Sequence, residues 1–171
     1  CALPILAVVG ASANHGHRVA LVDFNFRQPN IARIMGVPEG PGTLEALQTG
    51  EMPGSARVVL AQGQLTVVPA GRAAGNATAP LDPAAVNKLI QHLLAHHDHV
   101  IIDAPAVNHH STVQALAGLT DGVILGARQA VTRCEAVAEA KKRLELARGQ
   151  WIGLVLHIGQ VPAAGFPYRR M

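Results

Sequence analysis

The chain has 171 residues, of which 49% are hydrophobic and 15% charged, and its formal net charge is +3. This is enough apolar material for the core of one domain and too little charge for a disordered chain. Aromatic residues make up only 3%, which argues against a nucleic-acid interface built from basic and stacking side chains. No apolar run reaches the roughly 20 residues that a membrane-spanning helix needs.

Short apolar runs alternate with segments that have helical spacing or helix-capping residues. We predict strands at residues 19–23, 65–68, 100–103, 122–127 and 151–157. We predict helices at residues 31–35, 44–48, 82–97, 111–116 and 132–147. Thr43 is expected to cap the second helix, and Asp82 with Pro83 to begin the third. For residues 6–13 we favour the end of a helix over a strand.

This alternation is typical of an α/β fold with a mostly parallel sheet flanked by helices. We expect one partial nucleotide-binding domain over residues 1–160, followed by a flexible tail over residues 161–171. The nine histidines, including the pair His96 and His97, are read as solvated surface residues, because neighbouring residues on a helix point in different directions.

Two predicted strands end in the same way, with an apolar run followed by an aspartate. Asp23 follows residues 19–22, and Asp103 follows residues 100–102. Ligands of parallel α/β sheets bind beyond the carboxyl ends of the strands. Two carboxylates at that edge can hold Mg²⁺, which prefers hard oxygen ligands, or accept a proton from an attacking hydroxyl. The alternative is that each aspartate only caps its strand.

The two motifs resemble those of the bacterial tyrosine kinases, which belong to the wider MinD/ParA class of P-loop ATPases. VALVDFNFRQP, at residues 19–29, is similar to the Walker A′ motif of that family, and VIIDAP, at residues 100–105, is similar to its Walker B motif. Family-like segments also occur in order at residues 36–38, 42–44, 65–71 and 120–125. The resemblance covers roughly residues 5–160 and implies a P-loop-type fold.

The resemblance implies a role for several residues. Asp23 would lie near Mg²⁺ and the attacking hydroxyl, and Asp103 would hold the metal ion. Arg27 would be a catalytic arginine that pairs with an acidic group or a phosphate. Asn25 and His157 stand where the family has a second aspartate and an adenine-contacting asparagine, so they are the expected nucleotide contacts. The implied cofactors are ATP and Mg²⁺.

The phosphate-binding loop of this family is not found in the sequence. No Gly-Lys pair occurs, and the glycine-containing segment of residues 10–18 runs straight into a strand, which leaves no room for the helix that such a loop must open. We therefore expect residue 1 to lie within the helix that follows the loop. Losing about three charge-assisted hydrogen bonds lowers nucleotide affinity by about 10³ to 10⁶, so the chain alone is expected to bind ATP poorly and to be inactive.

By this resemblance we expect part of a cytoplasmic tyrosine autokinase domain that regulates capsular or exopolysaccharide export. Its implied partners are a membrane polysaccharide co-polymerase and further copies of itself, at the inner face of the plasma membrane. Tyr168, the only tyrosine, is the candidate phosphate acceptor. The alternatives are a MinD/ParA-type positioning ATPase and a catalytically inactive docking relative, which Asn25 and the missing loop would suit.

Overall fold

The computed structural model describes residues 3–51, 56–60, 63–72, 81–108 and 111–158. In this part of the chain, helices and strands alternate for most of the length. The strands are β1 (Arg18–Asp23), β2 (Ala56–Leu60), β3 (Gly63–Val68), β4 (His99–Asp103), β5 (Val123–Arg128) and β6 (Trp151–His157). The helices are α1 (Leu3–Asn14), α2 (Ile31–Met35), α3 (Thr43–Thr49), α4 (Pro83–Leu94), α5 (Ser111–Ala117) and α6 (Cys134–Leu146).

The described strands form two sheets. A four-stranded sheet has the order β2-β3-β1-β4, in which β1 is parallel to both of its neighbours and only β2 is antiparallel. A two-stranded sheet joins β5 and β6 in parallel. The predicted α/β class with a mostly parallel sheet and flanking helices is therefore confirmed, although the sheet is divided in two between β4 and β5.

Strand β1 is the centre of the first sheet, and its side chains enter two cores. Successive residues of a strand point to opposite faces. Val19 and Leu21 accordingly pack with α1 and α2 on one face, through Leu6, Val9, Ala13 and Ile31. Ala20 and Val22 pack with α3 and α4 on the other, through Leu44, Val86, Leu89 and Leu93. Because β1 is covered on both faces and paired on both edges, its residues 19–22 are all apolar.

The second sheet is covered less completely. A third core packs Val123 and Leu125 of β5 against buried side chains of α5 and α6, among them Val113, Ala140 and Leu144. Several apolar side chains of β5 and β6 stay exposed, namely Ile124, Ile152, Leu154 and Leu156. Within the described residues, neither β4 nor β5 has a strand partner on its outer edge.

Helix α3 is fastened to the turn that follows β3. The Thr43 and Leu44 amides donate to the Pro69 and Ala70 carbonyls at 2.8 and 2.9 Å. The Glu45 carboxylate accepts from the amides of Gly42 and Arg72, both at 2.8 Å. Gly42 packs so closely against the Pro69 carbonyl and the Gly71 amide that a β-carbon would collide with both. This glycine therefore lets the start of the helix touch the turn.

Several predicted boundaries were wrong. Thr43 is not the N-cap of α3 but its first residue, and Gly42 is the cap, because the Thr43 hydroxyl donates to the Pro69 carbonyl instead. Helix α4 ends at Leu94 rather than at His97, and α6 begins at Cys134 rather than at Thr132, whose hydroxyl accepts from the Arg128 amide.

Other predictions agree with the structure, and one strand was missed. Residues 6–13 belong to a helix, as favoured, and Asp82 caps α4 with Pro83 as its first residue. Strand β2 was not predicted. The division into residues 1–160 and 161–171 stays a prediction, because residues 159–171 lie outside the described part.

Candidate functional site

The two aspartates predicted to share a site are neighbours at the end of two adjacent parallel strands. In the register of β1 and β4, Asp23 lies opposite Asp103, and the next amide of the chain, that of Phe24, donates to the Asp103 carbonyl at 2.8 Å. Both carboxylates are thus at the carboxyl edge of the four-stranded sheet, where the ligands of such sheets bind.

Asp23 is fully buried, and both of its carboxylate oxygens accept backbone hydrogen bonds. Oδ1 accepts from the Asn25 amide at 2.9 Å, and Oδ2 accepts from the amides of Asn30 and Ile31, both at 3.2 Å. The last two amides belong to the start of α2, whose N-cap residue Asn30 makes no capping bond with its own side chain. Asp23 therefore caps α2 from a distance of eight residues along the chain.

Asp103 differs from its neighbour, because it is only half-buried and no hydrogen bond to its carboxylate is formed by the residues described. Burial, followed by the nearby negative charge of Asp23, raises the pKa of Asp103 to about 6. Burial also raises the pKa of Asp23, while its three backbone hydrogen bonds oppose that rise. The pair thus contains one carboxylate that is bound by backbone amides and one that is open to a ligand.

The loop after β1 carries the other two predicted residues of the Walker A′ motif. Phe24 and Phe26 are buried, with their ring centroids 5.6 Å apart. The residues between and after them lie further out: Asn25 is half-buried and Arg27 is exposed. The loop therefore buries its two aromatic side chains and leaves Asn25 and Arg27, two and four residues after Asp23, nearer its surface.

The remaining predicted residues lie elsewhere. His157 ends β6, in the second sheet, where its carbonyl accepts from the Gln129 amide at 3.0 Å. Its Nε2 is buried and has no hydrogen-bond partner within the described ranges. Tyr168 lies outside the described residues. The site roles given to all six residues stay predictions.

One polar residue of the segment after β4 was missed. Asn108 follows β4 by five positions, and its Nδ2 donates to the Ala136 carbonyl at 2.9 Å, while its Oδ1 is buried without a partner among the described residues. Arg143 of α6 donates to the Asn108 carbonyl at 3.2 Å. A lone asparagine in a loop gives no signal in the sequence, because its contacts are with α6, 28 and 35 residues further along the chain.

The fit of Mg²⁺ and ATP to these residues is partial. Asp103 offers an oxygen ligand of the kind that Mg²⁺ prefers, and Asn25 lies two residues after Asp23, the register partner of Asp103. The segment of residues 10–18 does not form a phosphate-binding loop, because α1 continues to Asn14 and β1 begins at Arg18. No group of three or more metal-ligating side chains occurs among the described residues. The described residues thus offer one partly exposed carboxylate that Mg²⁺ would accept as a ligand, but no complete set of metal ligands and no phosphate-binding loop.

No helix in the described ranges has the length and apolar character that crossing a bilayer requires.

Comparisons with known proteins agree with the motifs. No protein-family model matches the chain. The tyrosine-protein kinase CpsD of Streptococcus agalactiae is 27% identical over 150 residues, which are 85% of this chain and 63% of the kinase. The chain therefore spans less than two thirds of the length of this relative.

Solved structures show the same fold. The chimeric protein CapA2B2 has a TM-score of 0.73 at 23% identity, over 88% of this chain and 67% of that one. The kinase domain of the Escherichia coli tyrosine kinase ETK has a TM-score of 0.68 at 19% identity, over 96% and 63%. The cell division protein MinD of Aquifex aeolicus has a TM-score of 0.67 at 17% identity, over 92% and 63%. The chain is thus similar in sequence to the tyrosine-protein kinase CpsD, and it has the P-loop NTPase-like fold of the bacterial tyrosine kinase domains and of MinD.

Proposed function

We propose that this chain is part of an ATP-dependent protein-tyrosine autokinase domain that acts in capsular or exopolysaccharide biosynthesis. The observation that supports this most directly is the register that places Asp23 opposite Asp103 at the carboxyl edge of β1 and β4. These are the two motif positions that the resemblance assigns to nucleotide and metal binding. Similarity to CpsD over 85% of the chain supports the same assignment.

In this proposal the edge of β1 and β4 faces the triphosphate and its Mg²⁺. Bound ATP would supply the phosphoryl group, and Mg²⁺ would neutralise the charge on the phosphates. Asp103 holds the metal ion, because it is the one of the two aspartates that is not fully buried and whose carboxylate no backbone amide occupies among the described residues. Arg27, on the exposed part of the loop, pairs with a phosphate. Asn25 contributes a carbonyl to the metal or its water, but it cannot act as a carboxylate base.

The remaining parts of the proposal concern a protein as long as the curated relatives, of which this chain spans 63%. A phosphate-binding loop outside the described residues completes the nucleotide site, and His157 contacts the base. Tyr168 is a phosphate acceptor for a neighbouring copy. A membrane polysaccharide co-polymerase at the inner face of the plasma membrane is the partner.

The test is a phosphotyrosine blot of the full-length protein expressed in cells, where ATP is present. We expect a signal in the wild type and a loss of at least about 100-fold in Asp103→Asn, because removing the carboxylate that holds Mg²⁺ weakens the metal clamp on the transferring phosphoryl group, which costs about 3 kcal/mol or more. The matched control is Asp121→Asn, which changes an exposed aspartate in the turn before β5.

A signal that persists in Asp103→Asn would contradict the proposed metal role. If the wild type hydrolyses ATP without forming phosphotyrosine, the protein is instead a positioning ATPase of the MinD type. If it does neither, it is an inactive relative that acts by docking.

A further inference from the structure

The Asp23 carboxylate is occupied by the loop that it begins. It accepts three backbone hydrogen bonds, from the amides of Asn25, Asn30 and Ile31, and it has no exposed surface. A carboxylate has about four lone-pair sites, so most of its accepting capacity is used within the chain. A ligand could reach it only if residues 24–31 moved away from it.

We infer that Asp23 is a positioning residue, which folds residues 24–31 into a closed loop and so presents Asn25 and Arg27 at the sheet edge, while Asp103 is the carboxylate that meets the divalent cation. The sequence predicts that both strand-end aspartates lie at the Mg²⁺ site, whereas this inference assigns the cation to Asp103 and the positioning of the loop to Asp23. The statement about the cation rests on the proposed function, but the statement about the loop does not.

The loop is held from two sides. The side chains of Phe24 and Phe26 are buried in the core that lies towards α4, where they pack with Val22 and Val68. The Asp23 carboxylate holds the backbone at both ends of the same loop, at residue 25 and at residues 30 and 31. With both anchors in place, Asn25 and Arg27 are kept at the edge without a further hydrogen bond between their side chains and the core.

The placement of α2 depends on the same carboxylate. A short helix leaves its first amides unpaired unless a cap accepts from them. Here the N-cap residue is Asn30, whose Oδ1 accepts a hydrogen bond from the Arg33 side chain at 2.8 Å. The Asn30 side chain therefore does not cap the helix. Asp23 accepts from the first amides instead, and Ile31 of α2 is fully buried in the core next to β1. Asp23 thus joins the end of β1 to the start of α2.

Asp103 lacks such contacts. It is the register partner of Asp23, it is half-buried, and the described part of the chain gives its carboxylate no hydrogen-bond donor. A hydrated Mg²⁺ approaching this edge therefore meets the oxygens of Asp103 without breaking any backbone hydrogen bond.

The experiment follows the individual side-chain carboxyl carbons and backbone amides of the full chain by NMR during addition of Mg²⁺. In the wild type we expect the carboxyl carbon of Asp103 to shift, while that of Asp23 does not and the amides of residues 25, 30 and 31 stay protected from hydrogen exchange. Exposed Asp121 reports the non-specific effect of Mg²⁺. A shift of the Asp23 carboxyl carbon, together with loss of protection at those amides, would overturn the assignment.

Two isosteric variants separate the roles. Asp103→Asn should abolish the Mg²⁺-dependent shifts and leave exchange at residues 30 and 31 unchanged. Asp23→Asn places an amide group against three N–H donors, so exchange there should quicken by about 10- to 100-fold, while the Asp103 carboxyl carbon still responds to Mg²⁺. Loss of Mg²⁺ response in Asp23→Asn with protected amides would show that Asp23 is a ligand and refute the inference.

These outcomes are independent of kinase activity. If phosphotyrosine is never detected but the wild-type loop amides are protected as expected, the proposed function fails and the positioning role of Asp23 stands. If the Asp23→Asn variant does not fold, the wild-type measurements still decide between the two roles.

Discussion

The two sheets of this protein contain similarly apolar strands in very different surroundings. In β1, all the residues from Val19 to Val22 are at most 1% exposed, because strands pair on both edges and helices cover both faces. In β6, Leu154 and Leu156 are 46% and 50% exposed. An apolar run therefore predicts a strand equally well in both cases, but how deeply it is buried depends on how many neighbours the fold provides.

The two sheets also differ in the charged residues at their ends. The last register pair of β1 and β4 is Asp23 with Asp103, and that of β5 and β6 is Arg128 with His157. Two acidic groups are thus close together in the well-packed sheet, where burial strengthens their interaction. Arg128 and His157 lie in the second sheet, which is more exposed to water.

The largest difference between the sheets should appear in the same substitution made in each. Leu21→Ala removes a fully buried side chain from β1 and should lower the free energy of unfolding by about 3–5 kcal/mol. Leu154→Ala, in β6, should cost less than about 1 kcal/mol, because the side chain is already half in water. Urea denaturation of both variants measures the difference, and equal losses would show that the second sheet is buried as well as the first.

The acidic pair should make the stability depend on pH. Since the pKa of Asp103 is raised to about 6 in the folded chain, its protonated form favours folding. This contribution is complete below about pH 4 and is lost as the pH rises through 6. Without divalent cations, Asp103→Asn should therefore be about 1–3 kcal/mol more stable than the wild type at pH 8, and the gain should vanish towards pH 4.

Denaturation in EDTA across this pH range measures the effect. Asp121→Asn, in the turn before β5, controls for removing one exposed negative charge. If the gain in the free energy of unfolding did not depend on pH, the pKa of Asp103 would not be raised by burial and by the charge of Asp23.

The smallest expected difference concerns the helices that cover the sheets. Asp82 caps α4 by accepting from the Ala84 amide at 3.0 Å, whereas Arg133, the N-cap of α6, makes no capping bond with its side chain. Asp82→Ala should cost about 1 kcal/mol, and Arg133→Ala should leave the free energy of unfolding unchanged within error. A comparable loss in both would contradict the role of the cap.

The parts of the fold that local patterns specify were predicted well. The apolar runs ending in Asp23 and Asp103, together with the rule that parallel strands end at one edge, predicted that the two residues would meet. Asp82 followed by Pro83 predicted the start of α4. Each of these signals lies within a few consecutive residues, and the general rule for parallel sheets supplies the long-range step that brings Asp23 to Asp103.

The features that were missed depend on distant contacts or on short segments. Strand β2 is only five residues long, so its apolar residues, Ala56, Val58, Val59 and Leu60, form a short run, and among the described strands it lies at the edge of the sheet. Two of the three amides bound by Asp23, those of Asn30 and Ile31, lie seven and eight positions later, and the packing of α2 brings them near. For the same reason, Thr43 was taken for a cap, although it reaches the Pro69 carbonyl instead.

The tight contact at Gly42 has a mechanical consequence. Because the start of α3 and residues 69–72 are joined by several hydrogen bonds with no room for a side chain between them, neither can shift without the other. The turn follows β3, directly beside the strand that carries Asp23. Any displacement of this turn by a molecule bound at the sheet edge would be transmitted to the outer surface of α3 as a rigid movement.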